Sequence, residues 1–141
     1  MKRVVIVRHL RLSIAAAVAF STVATLVAPI PGAADDGPIK IAVITDMSGV
    51  YAALSGKGAV IATQMAVDDF GGSVLGRRLE VDGIDHRNNG PEAAAKAREA
   101  YDGGAELALD MTNSATALAV EGVAGEKHKL AIVTGGGSSA I

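Results

Sequence analysis

IKIAVITDMSGVYAALSG, residues Ile39–Gly56, decides the fold. Its first six residues, Ile39 to Ile44, form an apolar run rich in β-branched side chains, the pattern of a strand buried on both faces. Thr45-Asp46-Met47-Ser48-Gly49 then turns polar, and Gly56 leads into a helical pattern. Strand, loop and helix in that order open a βαβ unit. In open parallel sheets ligands lie beyond the carboxyl ends of the strands, so Thr45 to Gly56 is expected to face a ligand.

The same alternation continues along the chain. Gly58–Phe70 keeps helical spacing through Val60, Ile61, Met65, Val67 and Phe70, and Gly71-Gly72 supplies the stop. Ser73–Arg78 reads as a connector. Leu79–Asp85 alternates apolar and polar residues, as a half-exposed strand near a sheet edge does. His86–Gly90 is a polar loop, with His86 expected in solvent because no Cys and no second nearby His accompany it as metal ligands. Pro91 and Glu92 start a second helix that runs to about Tyr101 and is rich in Ala for close packing. Asp102-Gly103-Gly104 ends it. Ala105–Asp110 is a third strand, Thr112-Asn113-Ser114 caps a third helix over Ala115–Glu126, and Leu130–Thr134 is a fourth strand. Four strands and three helices predict an α/β fold, a parallel sheet with helices on both faces. Gly135–Ser139 then has the composition of a strand-to-helix loop. A parallel strand left at a chain end presents a bare edge, so the sequence is expected to be the front portion of a larger protein.

Composition narrows the function. Of 141 residues, 50% are hydrophobic and 20% charged, a globular mix for one domain. There is no Trp, with two Tyr and two Phe, which leaves little for stacking on nucleic-acid bases. Lys2, Arg3, Arg8 and Arg11 are four of the 13 basic residues, so the remainder holds 9 against 15 acidic ones, a net charge of −6. An acidic body argues against nucleic-acid partners. Absence of Cys excludes disulfides, thiolate metal sites, a Cys nucleophile and a lipidated Cys tether.

Residues 1–34 read as an address. A basic segment through Arg11, an apolar stretch from Leu12 to about Ile30 and the small residues Gly32-Ala33-Ala34 match a secretory signal peptide cleaved near Ala34. The mature domain would span 35–141 in the periplasm, without stable membrane insertion. An uncleaved anchor is the alternative, because the apolar stretch approaches the length of a spanning helix.

Three loops at one end of the expected sheet are candidate binding elements. Asn113 and Ser114 begin a helix whose free N–H groups and dipole attract a carboxylate or phosphate, although an N-cap can serve the helix alone. Gly135–Ser139 lets a ligand approach bare backbone, with Gly136 and Ser138 at its centre; it lacks both the G-x-G-x-x-G spacing and the P-loop Gly-Lys-Ser/Thr. In Asp46–Ser55, Tyr51 and Leu54 can meet an apolar group or simply cover the first helix. No G-x-S-x-G elbow occurs, and nothing points to catalysis, a cofactor or a metal.

These residues also carry a family resemblance over 37–141. IKIAVITDMSGVYAALSGKG (39–58), IATQMAVDDFGG (61–72), VLGRRLEV (74–81), the polar loop Asp85 to Asn89, AAAKAREAYDGG (93–104), NSATALAV (113–120) and AIVTGGGSS (131–139) occur in an order that resembles the amino-terminal part of the leucine-binding type of periplasmic substrate-binding protein. The resemblance implies a partial first lobe of a two-lobed type I fold, serving an ABC transporter permease for branched-chain amino acids or related small carboxylates. It implies that the loop after the third strand (Ser114, Asn113) and the loop after the fourth (Gly136, Ser138) hold the carboxylate and ammonium of an amino acid, with Thr112 and Ser139 as substitutes within one residue of register. Tyr51 and Leu54 would touch the side chain. The family is much longer, with a second lobe, so this chain alone is expected to bind weakly or not at all. An exported α/β enzyme with its catalytic residues elsewhere, and a sensor domain on an uncleaved anchor, are the other readings.

Overall fold

The structure, a computed structural model, describes residues 37–141; the expected signal segment, its cleavage near Ala34 and the domain boundary there lie outside the described residues. The elements are β1 (Ile39–Thr45), α1 (Gly56–Phe70), β2 (Ser73–Val74), β3 (Arg77–Asp85), α2 (Gly90–Asp102), β4 (Ala105–Asp110), α3 (Ser114–Lys127) and β5 (Leu130–Val133). One sheet runs in the order β2-β3-β1-β4-β5. β1 is parallel to β3 and β4, and β4 is parallel to β5.

That order fixes where the helices go. From β1 the chain steps one way to β3, then reverses across β1 to β4 and onward to β5. Right-handed crossovers therefore put α1 on one face and α2 with α3 on the other. The reversal leaves a crevice between the carboxyl ends of β1 and β4, the place where doubly wound sheets hold ligands.

Small residues set the core on the α2/α3 face. Ala93 and Ala97 of α2, Ala117 and Val120 of α3, and Ala42 and Ala108 of the sheet are almost wholly buried, so the helices lie close to the strands. Tyr101 is the one large aromatic in this cluster, and its hydroxyl donates to the Leu130 carbonyl at 2.8 Å, fastening α2 to the start of β5. β1 is buried from Ala42 to Thr45 and half-buried before that.

Three features depart from the sequence-based expectation. The connector Ser73–Arg78 is a hairpin: β2 pairs antiparallel with the start of β3, so the sheet is mixed rather than wholly parallel. Its two turn residues, Leu75 and Gly76, have φ of 52° and 79°, which matches the strand twist as a two-residue hairpin turn requires. On α1, Ile61, Met65 and Phe70 are 60%, 60% and 66% exposed, whereas Val67 and Gly56 are buried. Spacing identified the helix but not which side meets the sheet. His86, expected in solvent, is wholly buried. β5 is an edge, pairing with β4 alone, and it exposes Leu130 and Ile132.

Candidate functional site

All three candidate loops gather at the carboxyl end of the sheet. The β4–α3 and β5 loops are joined directly, because the Ser114 hydroxyl oxygen accepts from the backbone N–H of Gly137 at 3.1 Å and of Ser138 at 3.2 Å. Ser114 is the first residue of α3, and Asn113 is its N-cap: the Asn113 amide oxygen accepts from Thr116 N at 3.0 Å. Capping uses one of the helix's orphan donors. The N–H groups of Ser114 and Ala115 have no partner among the described residues and stand at the positive end of the helix. Ser138 turns its own hydroxyl back to accept from Ala140 N at 3.1 Å.

Gly136 lies between Val133 and Ile141, where a Cβ would come within 2.3 Å of the Ile141 side chain. Gly135 is tighter in a way that matters more. A Cβ there would stand 2.7 Å from the Thr112 carbonyl oxygen, so the β5 loop approaches the β4 loop with backbone against backbone.

The first loop is held by its own acid. Asp46, wholly buried, accepts from Gly49 N at 2.7 Å and from Tyr51 N at 2.9 Å. A Cβ on Gly49 would meet the Asp46 carboxylate at 2.6 Å, so Gly is the residue that fits. The loop presents Leu54, 78% exposed, and Tyr51, 38% exposed. Leu54 lines a cleft of about 520 Å³ together with Ser55, Asp110, Thr112, Thr134 and Gly135. Ser114, Asn113, Gly136, Ser138 and Tyr51 border the same end of the sheet without lining that cleft.

Beneath the loops lies a polar network that the sequence reading did not single out. Asp110, 5% exposed at the end of β4, accepts from Thr134 Oγ1 at 2.5 Å and from Ser55 Oγ. Ser55 Oγ and Thr112 Oγ1 each pair with Thr45 Oγ1, at 3.0 and 3.2 Å. One carboxylate thus ties the ends of β4 and β5 to the start of α1. On the other side, Asp85 accepts from Met47 N at 2.9 Å, Ser48 Oγ at 2.6 Å and Arg87 N at 2.9 Å. Partial burial pushes the Asp85 carboxyl up, but these hydrogen bonds and the Arg87 charge outweigh it and hold the group below its usual value. An acid as the last residue of a strand was the available signal in both cases.

The arrangement offers hydrogen-bond donors and a helix amino end, suited to gripping a small anion. Among the described residues no group of three or more His, Asp or Glu is placed to hold a metal.

Comparison with known proteins identifies the family. A family model described as periplasmic binding protein matches residues 38–140. A periplasmic binding protein from Burkholderia mallei is 50% identical, with a TM-score of 0.71, over 73% of this chain and 28% of that one. A branched-chain amino acid ABC transporter periplasmic ligand-binding protein from Burkholderia xenovorans LB400 is 39% identical, with a TM-score of 0.68, over 71% and 27%. An ABC transporter solute-binding protein from R. palustris, in complex with 4-hydroxybenzoate, is 25% identical, with a TM-score of 0.67, over 74% and 28%. Comparison with curated proteins gave no match. The chain spans between a quarter and a third of the length of these structural relatives. The chain belongs to the periplasmic binding protein family and has the type I fold of its first lobe.

Proposed function

We propose that this chain is the amino-terminal portion of an extracytoplasmic solute-binding component of an ABC transporter, exported by a signal peptide cleaved near Ala34. Its solute is a branched-chain amino acid or a related small carboxylate. One observation carries the reading: Ser114 sits on the first turn of α3, beside unpartnered N–H groups, and is tied to the N–H groups of Gly137 and Ser138. Carboxylate binding suits such a helix end. The relatives support the class, since one is described as the periplasmic ligand-binding protein of a branched-chain amino acid ABC transporter and another holds 4-hydroxybenzoate, and amino acids and hydroxybenzoate both carry a carboxylate.

In this reading Ser114 and the adjoining backbone hold the carboxylate. Gly136 and Ser138 form the neighbouring wall, Tyr51 and Leu54 face the apolar part of the solute, and Asn113 acts by capping α3. A permease receives the closed complex of the whole protein. The present chain supplies one wall, which leaves a bound solute wet on its other side, so affinity is millimolar or weaker.

Amide-resolved NMR of the 35–141 chain tests this. Leucine and 4-hydroxybenzoate at about 10 mM should shift the Ser114, Ala115, Gly137 and Ser138 amides, corresponding to roughly −4 kcal/mol or weaker, while their carboxamides, which lack the carboxylate, should not. Absence of shifts at these four residues would overturn the site. Micromolar binding would overturn the one-wall argument.

A further inference from the structure

His86 is the largest buried polar side chain that the proposed site does not use. It follows β3 directly, its backbone N–H donates to Thr45 O at 2.9 Å, and its ring is wholly enclosed. Nδ1 accepts from Asn88 N at 3.0 Å, so the neutral ring carries its proton on Nε2, and Nε2 has no partner among the described residues. The remaining contacts form a chain. Asn88 is held with φ of 54° in a turn closed by Asn89 N donating to His86 O. Its side-chain oxygen accepts from the Asn113 amide nitrogen, and the Asn113 amide oxygen caps α3 at Thr116.

We propose that His86 is a positioning residue for the ligand site: its neutral imidazole fixes Asn88, which orients Asn113 and through it the amino end of α3 that carries Ser114. The inference rests on the ligand reading above only for its consequence on binding.

Nδ1 is the sensitive atom. A proton there converts the acceptor into a donor facing the Asn88 N–H, and the turn must open or shift. Burial pushes the imidazole below its usual value, opposed by the charges that reach it: Asp46 from the loop after β1, Asp85 from β3 and Asp110 from β4. His86 is therefore neutral near pH 7 and takes up its proton below the usual imidazole range. Asn in place of His puts an amide oxygen where Nδ1 stands and does not titrate, whereas Leu provides no acceptor.

The test is an NMR titration of the 35–141 chain from about pH 7.5 to about pH 4, reaching below the ordinary imidazole range. The Asn88, Thr116, Gly137 and Ser138 amides should move with one midpoint, that of the His86 ring. In His86→Asn the four amides should keep their neutral-pH positions throughout. In His86→Leu, where it folds, they should lie near the acid positions even at neutral pH. Leucine is the binding probe, and its affinity should weaken 3- to 10-fold on acidification in the parent chain, about the worth of one hydrogen bond, and not in His86→Asn. The inference fails if Asn88 titrates while Thr116, Gly137 and Ser138 stay still, or if His86→Asn retains the transition. Coupled amides without leucine binding at any pH would instead sink the ligand reading and leave the positioning role standing.

Discussion

Replacing Asp110 by Ala should be the most damaging single change at the carboxyl end of the sheet. The carboxylate accepts from Thr134 on one side and Ser55 on the other, and it is 5% exposed. Hydrogen bonds to a charged group contribute about 1.5–3 kcal/mol each. Thr134 is exposed and can turn to water, and Ser55 keeps Thr45, so the lower figure applies to both bonds. The sum is about 3 kcal/mol, out of the roughly 5–15 kcal/mol that a domain of this size has in all. With a urea slope of about 1.5 kcal/mol/M, the midpoint falls by about 2 M at unchanged slope. Asp110 also has φ of 89°, a conformation that Gly adopts without cost, so Asp110→Gly should be less damaging than Asp110→Ala by about 1 kcal/mol. Urea unfolding followed by circular dichroism measures both. A midpoint drop under about 0.5 M for Asp110→Ala would refute the idea that this carboxylate joins the two loops, and equal drops for Ala and Gly would refute the cost assigned to the positive φ.

Gly135→Ala places a methyl group 2.7 Å from the Thr112 carbonyl oxygen, where only backbone can give way, and should destabilise by about 1–3 kcal/mol. Its melting temperature should fall by about 4–8 °C per kcal/mol, while Gly137→Ala, with open space at that position, should melt with the parent. Asp85 has a folded value below its unfolded 3.8, so its contribution is complete above that pH and is lost as pH falls through the folded value. Urea midpoints of the parent and Asp85→Asn should therefore differ most near neutrality and converge in strong acid; a constant gap would show that the charge plays no part. Tyr101→Phe removes the bond to the Leu130 carbonyl and should cost about 1 kcal/mol, with faster amide exchange in β5 as the sign that this strand, rather than α2, has loosened.

The parts of this fold that were legible in the sequence are those whose signals are local. β1, β4 and β5 are short apolar runs, and Pro91 and the Gly103-Gly104 pair bracket α2 within one or two residues of its observed ends. The cap at Asn113 is local as well, since its side chain accepts from a backbone N–H three residues on. By contrast, the outward face of α1 could not be read. Ile61, Met65 and Phe70 keep helical spacing, but whether they meet the sheet depends on which neighbours lie beside the helix, and spacing carries no information about those. The β2–β3 hairpin was missed because Leu75 is a poor residue for positive φ, and only Gly76 looked the part.

The site divides along the same line. Ser114 and the glycine loop were found because a helix start and a glycine run announce themselves within a few residues. Asp85 and Asp110 were not, although they set the shape of those loops, since they have partners at separations such as Ser55 with Asp110 and Met47 with Asp85. A buried acid or imidazole at a strand end is expensive unless several backbone donors converge on it, and that convergence exists only once the strands are adjacent. Asp46, Asp85 and Asp110 each end a strand or follow one directly, at the carboxyl end of β1, β3 and β4. Parallel pairing brings those ends to one rim, so the acids that fasten the loops are the ones sequence leaves looking like ordinary surface charge. In a parallel sheet, then, an acid at the carboxyl end of a strand should be read first as a fastener of loops, its own in the case of Asp46 and neighbouring ones as well in the case of Asp85 and Asp110.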